Sequence, residues 1–133
     1  MTVSWMLLAD FANVDGSGKL NLIGEFSHFR VENLPCVHAF MSVVAKMNFP
    51  AAEAGRTINI QLSLRDQDGA TLFNVGPMQM VAPSAPAGTS SVEFPLVINI
   101  QNLEFTKAGP YGLSFIVNEE EKAHRTIEVT LAK

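Results

Sequence analysis

At 133 residues, 47% apolar and 17% charged, the chain is long enough to bury its own core and too apolar for disorder. Nine lysines and arginines, scattered singly, stand against thirteen acidic residues, so the clustered positive charge that nucleic-acid binding draws on is missing. One cysteine excludes an internal disulfide, and no stretch approaches the ~18 apolar residues of a membrane span.

In chain order, residues 3–12 carry apolar or small side chains on both faces. Val3, Trp5, Leu7, Ala9 and Phe11 lie on one, Met6 and Leu8 on the other, which predicts a strand covered on both sides. Asp10 sits close behind this run and no basic segment precedes it, so the start makes a poor secretory leader; a cytoplasmic location is expected. Asp15-Gly16-Ser17-Gly18-Lys19 follows as the turn of a hairpin. Residues 19–31 alternate through Leu20 and Leu22, then slip phase near Gly24, leaving Phe29 and Val31 out of step. A glycine at such a slip predicts a β-bulge or a close backbone approach.

CVHAFMSVVAKMNF (36–49) is expected to be a strand with mixed faces. TINIQLSLR (57–65) is the cleanest, with Ile58, Ile60, Leu62 and Leu64 on one side and polar residues on the other. TLFNVG (71–76) is a shorter strand that resumes beyond Gly76-Pro77. Residues 82–91, rich in Pro, Ala, Gly and Ser, predict a mobile loop; by length, Ala82, Pro83, Ser84, Ala85, Pro86, Ala87 and Gly88 lead as an interaction surface. SVEFPLVINI, YGLSFIV and RTIEVTL alternate again, the last two joined by the charged turn Glu119-Glu120-Glu121-Lys122. About eight evenly spaced strands in one domain (1–133) predict an all-β fold, an antiparallel β-sandwich of immunoglobulin-like or jelly-roll-like kind. A closed β-barrel is the alternative.

Few side chains propose chemistry. The DGSGK run is not a phosphate loop: the earlier glycine is replaced by Asn13, Leu20 follows Lys19, and no helix begins there. Asp10, Asn13 and Asp15 offer oxygens for calcium, but an EF-hand alignment puts Phe11 and Leu22 where acidic ligands belong. His28, Cys36, His38 and Met41 have the residue types of a blue-copper centre. In a regular strand, though, Met41 points away from the face shared by Cys36 and His38. His124 lies just beyond the Glu119–Glu121 run, which does not make a catalytic triad. Trp5 and Tyr111 fall on apolar strand positions and are core candidates before they are sugar platforms.

Two segments together resemble a known family. LLADFANVDGSGKLNLIGEFSHFRVENLP and LEFTKAGPYGLSFIVNEEE are similar to the opening and closing patterns of a family of small bacterial β-sandwich proteins of unknown function. The matched positions include Asp10, Gly16, Lys19, Leu20, Gly24, Gly109, Tyr111, Phe115 and Val117. The closing G-x-Y-x-F-x-V also resembles bacterial immunoglobulin-like domains, in which the tyrosine ties down a corner of the sandwich. The resemblance implies a fold and no activity.

The expected function is therefore a non-enzymatic protein-interaction or scaffolding module without a cofactor. Apolar residues on both faces of 3–12 and 36–49 call for a covering partner, most simply a second copy in a symmetric dimer. A sandwich binding a small ligand or a metal ion is the second reading and an enzyme the third.

Overall fold

The period-two alternation folds into nine strands: β1 (Thr2–Val14), β2 (Leu20–Phe26), β3 (His28–Val31), β4 (Cys36–Pro50), β5 (Thr57–Arg65), β6 (Thr71–Val81), β7 (Ser91–Phe105), β8 (Gly109–Val117) and β9 (Glu120–Leu131). They are seen in a computed structural model that describes residues 1–132. Two sheets face each other, one in the order β2-β1-β4-β7 and the other β3-β9-β8-β5-β6. The second curls but stays open, so the closed-barrel alternative falls: β2, β7, β3 and β6 remain edges. Pro77 and Pro95 lie within β6 and β7, both edge strands, where a missing N–H can face away from the ladder and discourages pairing with another edge.

The core lies between the sheets. β5 contributes Ile58, Ile60, Leu62 and Leu64, and β4 contributes Met41, Val43, Ala45, Met47 and Phe49 from the other side. The mixed faces of residues 36–49 have a specific cause. Cys36 and His38 turn inward with their cross-strand partners Phe105 and Leu103, whereas beyond Phe40 the inward positions shift to Met41 and Ile100. Both strands change phase together, next to Asn102, which adopts a left-handed φ of 53°.

Of the two readings of Gly24, bulge or close approach, the second holds, and the pairing expected for residues 19–31 needs one correction. The β1–β2 register runs unbroken past Gly24, from Ala9↔Glu25 to Phe11↔Ile23, so no bulge marks the glycine. Its φ of +70° instead accompanies a close approach: a Cβ there would collide with the Asp10 carboxylate across the hairpin. The slip in phase arises at Ser27, where the chain leaves the first sheet and enters the second as β3. Arriving there, β3 runs parallel to β9, the one exception to the antiparallel pairing expected throughout.

The same turn chemistry appears twice. In Asp15-Gly16-Ser17-Gly18-Lys19 the Asp15 Oδ1 accepts from the N–H groups of Ser17 (2.9 Å) and Lys19 (3.0 Å), and Gly18 takes a φ of 83°. In Asp66-Gln67-Asp68-Gly69-Ala70 the Asp66 Oδ1 accepts from Asp68 and Ala70 (both 2.9 Å), with Gly69 at 86°. An aspartate that bonds its own backbone and a glycine for the left-handed position are what such a hairpin loop requires. Lys107 reaches from the β7–β8 loop to pair with Asp66 (3.3 Å) and Asp68 of the second turn.

The Lys107 carbonyl also accepts a 2.6 Å hydrogen bond from the buried Tyr111 hydroxyl, the corner tie that the closing motif led one to expect. Tyr111→Phe keeps the ring and removes only this bond. Thermal or urea unfolding should show a loss of about 0.5–1.5 kcal/mol; an unchanged midpoint would mean that the corner is held by packing alone.

Candidate functional site

Where the chain crosses between sheets at Ser27, a cleft of about 530 Å³ opens. β1 supplies Asp10, β2 supplies Phe26, β3 supplies His28 and Arg30, Glu32 follows, and β4 supplies Cys36 and His38. Cys36 and His38 enter it because they precede the phase change in β4; their spacing of two puts both on the inward face. Asp10 enters it because Gly24, directly across the hairpin, leaves room for its carboxylate.

An aromatic ladder forms the floor. The His38 ring meets Phe29 edge-on at 4.7 Å and Phe26 at 6.1 Å; Phe29 continues to Phe105 (4.9 Å), which in turn meets Tyr111 (5.1 Å). His38 Nε2 is shut off from solvent and finds no hydrogen-bond partner. A buried ring nitrogen in that state is a costly thing to leave unmet. Cys36 is half-buried with a free thiol.

The structure thus gathers Asp10, His28, Cys36 and His38 around one cleft, though not as a metal centre: no three His, Cys, Asp or Glu side chains converge to hold an ion among the described residues. His28 Nε2 bonds Thr130 Oγ1 at 2.7 Å. Met41 turns inward, against the expectation, yet is fully buried in the core. Three residues along β4 from His38, it lies about 10 Å away along the strand. The calcium candidates separate as well. Asp15 is exposed in its own turn, five residues and about 16 Å of strand from Asp10. Its Oδ1 already accepts from Ser17 Oγ (2.6 Å) and two backbone N–H groups, and these bonds hold its carboxyl below the usual value. Asn13 is exposed near the end of β1.

The 82–91 loop lies at the opposite end of the sandwich and carries hydrogen bonds at both ends. Ala82 is buried and bonds Gly55 and Arg56 through its backbone, and the Ser90 carbonyl accepts from Ala51. Between them Pro86 to Thr89 forms a turn around Gly88 at a φ of 83°. Ser84, Pro86, Ala87 and Gly88 are exposed, while Pro83 and Ala85 are half-buried.

On the outer face of the second sheet, Ser114 Oγ donates to Glu121 Oε1 at 2.6 Å, with His124 Nδ1 3.4 Å from the same oxygen and 3.5 Å from the serine. Gly112 makes space for that imidazole, since a Cβ there would approach His124 Cε1 to 2.9 Å. Serine and carboxylate meet at one nitrogen, whereas a nucleophilic triad places them on opposite sides of the ring. The serine hydrogen bond, chiefly, holds the Glu121 carboxyl below its ordinary 4.5. A carboxylate favoured in the folded state stabilises above its unfolded-state value, and this share is lost as pH falls through the lower folded value. In melts from neutral to acid pH, Ser114→Ala should therefore lose stability relative to wild type near neutrality and converge with it in acid. Parallel curves would refute the coupling.

The outer face of the first sheet is apolar. Across β1, β4 and β7 its rows run Trp5–Lys46–Pro95, Leu7–Val44–Val97 and Ala9–Ser42–Asn99. At the next level Phe11 stacks on Phe40 at 6.4 Å and stands opposite Ile23 of β2. Ala9 and Val44 are buried outside the inter-sheet core, whereas Phe11 (45%), Ile23 (64%) and, beyond them on β4, Val37 (56%) are exposed. Lys46 Nζ lies 6.0 Å from the Trp5 ring, and Ser42 is satisfied by Asn99 and the Ala12 N–H.

A model of a family of unknown function, DUF6941, matches residues 4–130. The chain belongs to that family. The DUF6941 span takes in the cleft, the Tyr111 corner and the apolar face. No curated protein matches the chain closely enough to count as a relative. Among solved structures, the chain is similar to the Pseudomonas fluorescens alkylpurine DNA glycosylase AlkC, bound there to DNA containing an abasic-site analogue. That likeness has a TM-score of 0.47 at 11% identity and covers 77% of this chain and 27% of the glycosylase. The chain therefore spans about a quarter of that protein's length.

Proposed function

We propose that this DUF6941 chain is a protein-interaction module that works through a surface rather than through catalysis, and that the outer face of the β2-β1-β4-β7 sheet takes a second copy of the chain. The observation that carries this is the pairing of Phe11 with Ile23 across a hairpin, both exposed, at the margin of a face whose centre, Ala9 and Val44, is already dry. Exposed apolar side chains that adjoin in rows are costly in water, and single exposed ones are not.

A second copy fits for two reasons. The face is flat and apolar and so is complementary to itself. Its two charged positions also have opposite sign and lie at opposite ends, Lys46 level with Trp5 and Glu25 level with Ala9. A two-fold axis crossing the strands lays the Lys46 end of one copy over the Glu25 end of the other. Four strands by seven residues amount to about 450 Å² per copy, roughly half of a standard interface. The pair should accordingly be weak, associating at tens of micromolar.

The same reading treats the sandwich as immunoglobulin-like, supported by the Tyr111 corner. It places the protein in a reducing compartment, supported by the single free Cys36. No helix among the described residues is long and apolar enough to cross a membrane. Trp5, the one tryptophan, lies on the proposed contact and reports on it directly. Its emission should move to shorter wavelength as concentration rises from below one micromolar to several hundred. Emission that stays constant over that range would refute docking through this face.

A further inference from the structure

The cleft at the β2–β3 crossing carries a separate inference, independent of the dimer face. We infer that it binds a small organic ammonium ion with a flat apolar body, the nitrogen at the Asp10 carboxylate and the body on the Phe26, Phe29 and His38 rings.

Charge sets the sign of the ligand. Two carboxylates line the cleft, Asp10 and Glu32, against one guanidinium, that of Arg30. None of the three forms an ion pair among the described residues. The carboxylates elsewhere that do pair, Asp66 and Asp68 with Lys107 and Glu120 with Lys122, show that the fold has partners for acids where it needs them.

The aromatic floor sets the body. Phe26 and Phe29 stand edge to face at 4.8 Å, with the His38 ring 4.7 Å from Phe29. Such rings offer both apolar contact and the negative quadrupole that attracts a cation. A volume of about 530 Å³ suits a small molecule of this kind.

One further feature is hard to explain by packing alone. Gly24, held at a φ of +70°, leaves room beside it for the exposed Asp10 carboxylate. In a hairpin with unbroken register, nothing in the pairing itself calls for a glycine there.

The test uses benzylammonium as probe, with benzyl alcohol and benzoate as the neutral and anionic counterparts, and follows the backbone amides of residues 24–38 by NMR. Benzylammonium should shift these amides saturably, with a dissociation constant on the order of millimolar for so small a ligand. Benzyl alcohol should bind roughly tenfold more weakly, and benzoate not at all. Asp10→Asn should cost roughly the same factor, with the melting temperature as the check that the fold is intact. His38→Phe keeps a ring in place and should retain the charge preference. Absence of saturable shifts with benzylammonium, equal shifts with benzoate, or an Asp10→Asn protein that binds as wild type would each overturn the assignment.

Discussion

Truncating Phe105 to alanine should destabilise the fold by about 3–5 kcal/mol, the range for a large aromatic lost from a close-packed core. Phe105 ends β7 fully buried and connects two structures that have no other reason to be linked. On one side its ring meets Phe29, carried into the second sheet by the crossing at Ser27; on the other it meets Tyr111, tied to the Lys107 carbonyl. Removing the ring leaves a cavity between the cleft floor and the corner and strips the buried Phe29 and Tyr111 rings of the contact they share. For a chain of this length the loss corresponds to roughly 10–20 °C in melting temperature. Val81, 61% exposed on edge strand β6, is the control. Its replacement by alanine should stay within about 0.5 kcal/mol. A Phe105→Ala protein as stable as that control would mean that the aromatic ladder is not part of the cooperative core.

Phe11→Asp should separate the pair while leaving the chain folded. The side chain is 45% exposed and its backbone pairs normally with Ile23, so the single chain gives up little when the ring is removed. In the proposed dimer the same position lies against the partner's apolar face, where a carboxylate is stripped of water and the partner's Lys46 is already matched to Glu25. An aromatic anchor lost in this way costs 2 kcal/mol or more, which weakens association by at least about 30-fold. Ile23→Asp should act in the same direction from the opposite side of the hairpin. Sedimentation velocity at several hundred micromolar checks both, with circular dichroism to show that the strands persist. Variants that associate as strongly as wild type would remove this face from the interface.

The strands were legible because burial on one face writes period two directly into the sequence, most plainly in Ile58, Ile60, Leu62 and Leu64. The first hairpin turn was legible because an aspartate followed by a glycine is what its geometry requires. Less legible was any event in which two strands act together. The phase change at Phe40 involves β7 as much as β4, so residues 36–49 by themselves show only mixed faces. Gly24 read as either a bulge or a close approach because the slip it neighbours belongs to Ser27, and a chain leaving one sheet for another has no local signature.

The cleft shows the same division. Cys36 and His38 share a face by spacing alone, and Asp10 falls opposite Gly24 once the DGSGK hairpin fixes the register. Arg30 and Glu32 were missed, because they reach the cleft only through the crossing that the sequence hides. Ser114 and His124 become cross-strand partners only through a register shift between Phe115 and Ile116. Without that irregularity the serine would face another residue, and no pattern in the sequence announces it.

Sedimentation equilibrium of the wild-type chain, from about one to several hundred micromolar, tests the central claim most directly. Self-association through the apolar face predicts a weight-average mass that rises from 14.4 kDa toward twice that value and stops there, as a closed two-fold pair must. A mass of 14.4 kDa at every concentration, or growth beyond the dimer, would contradict it.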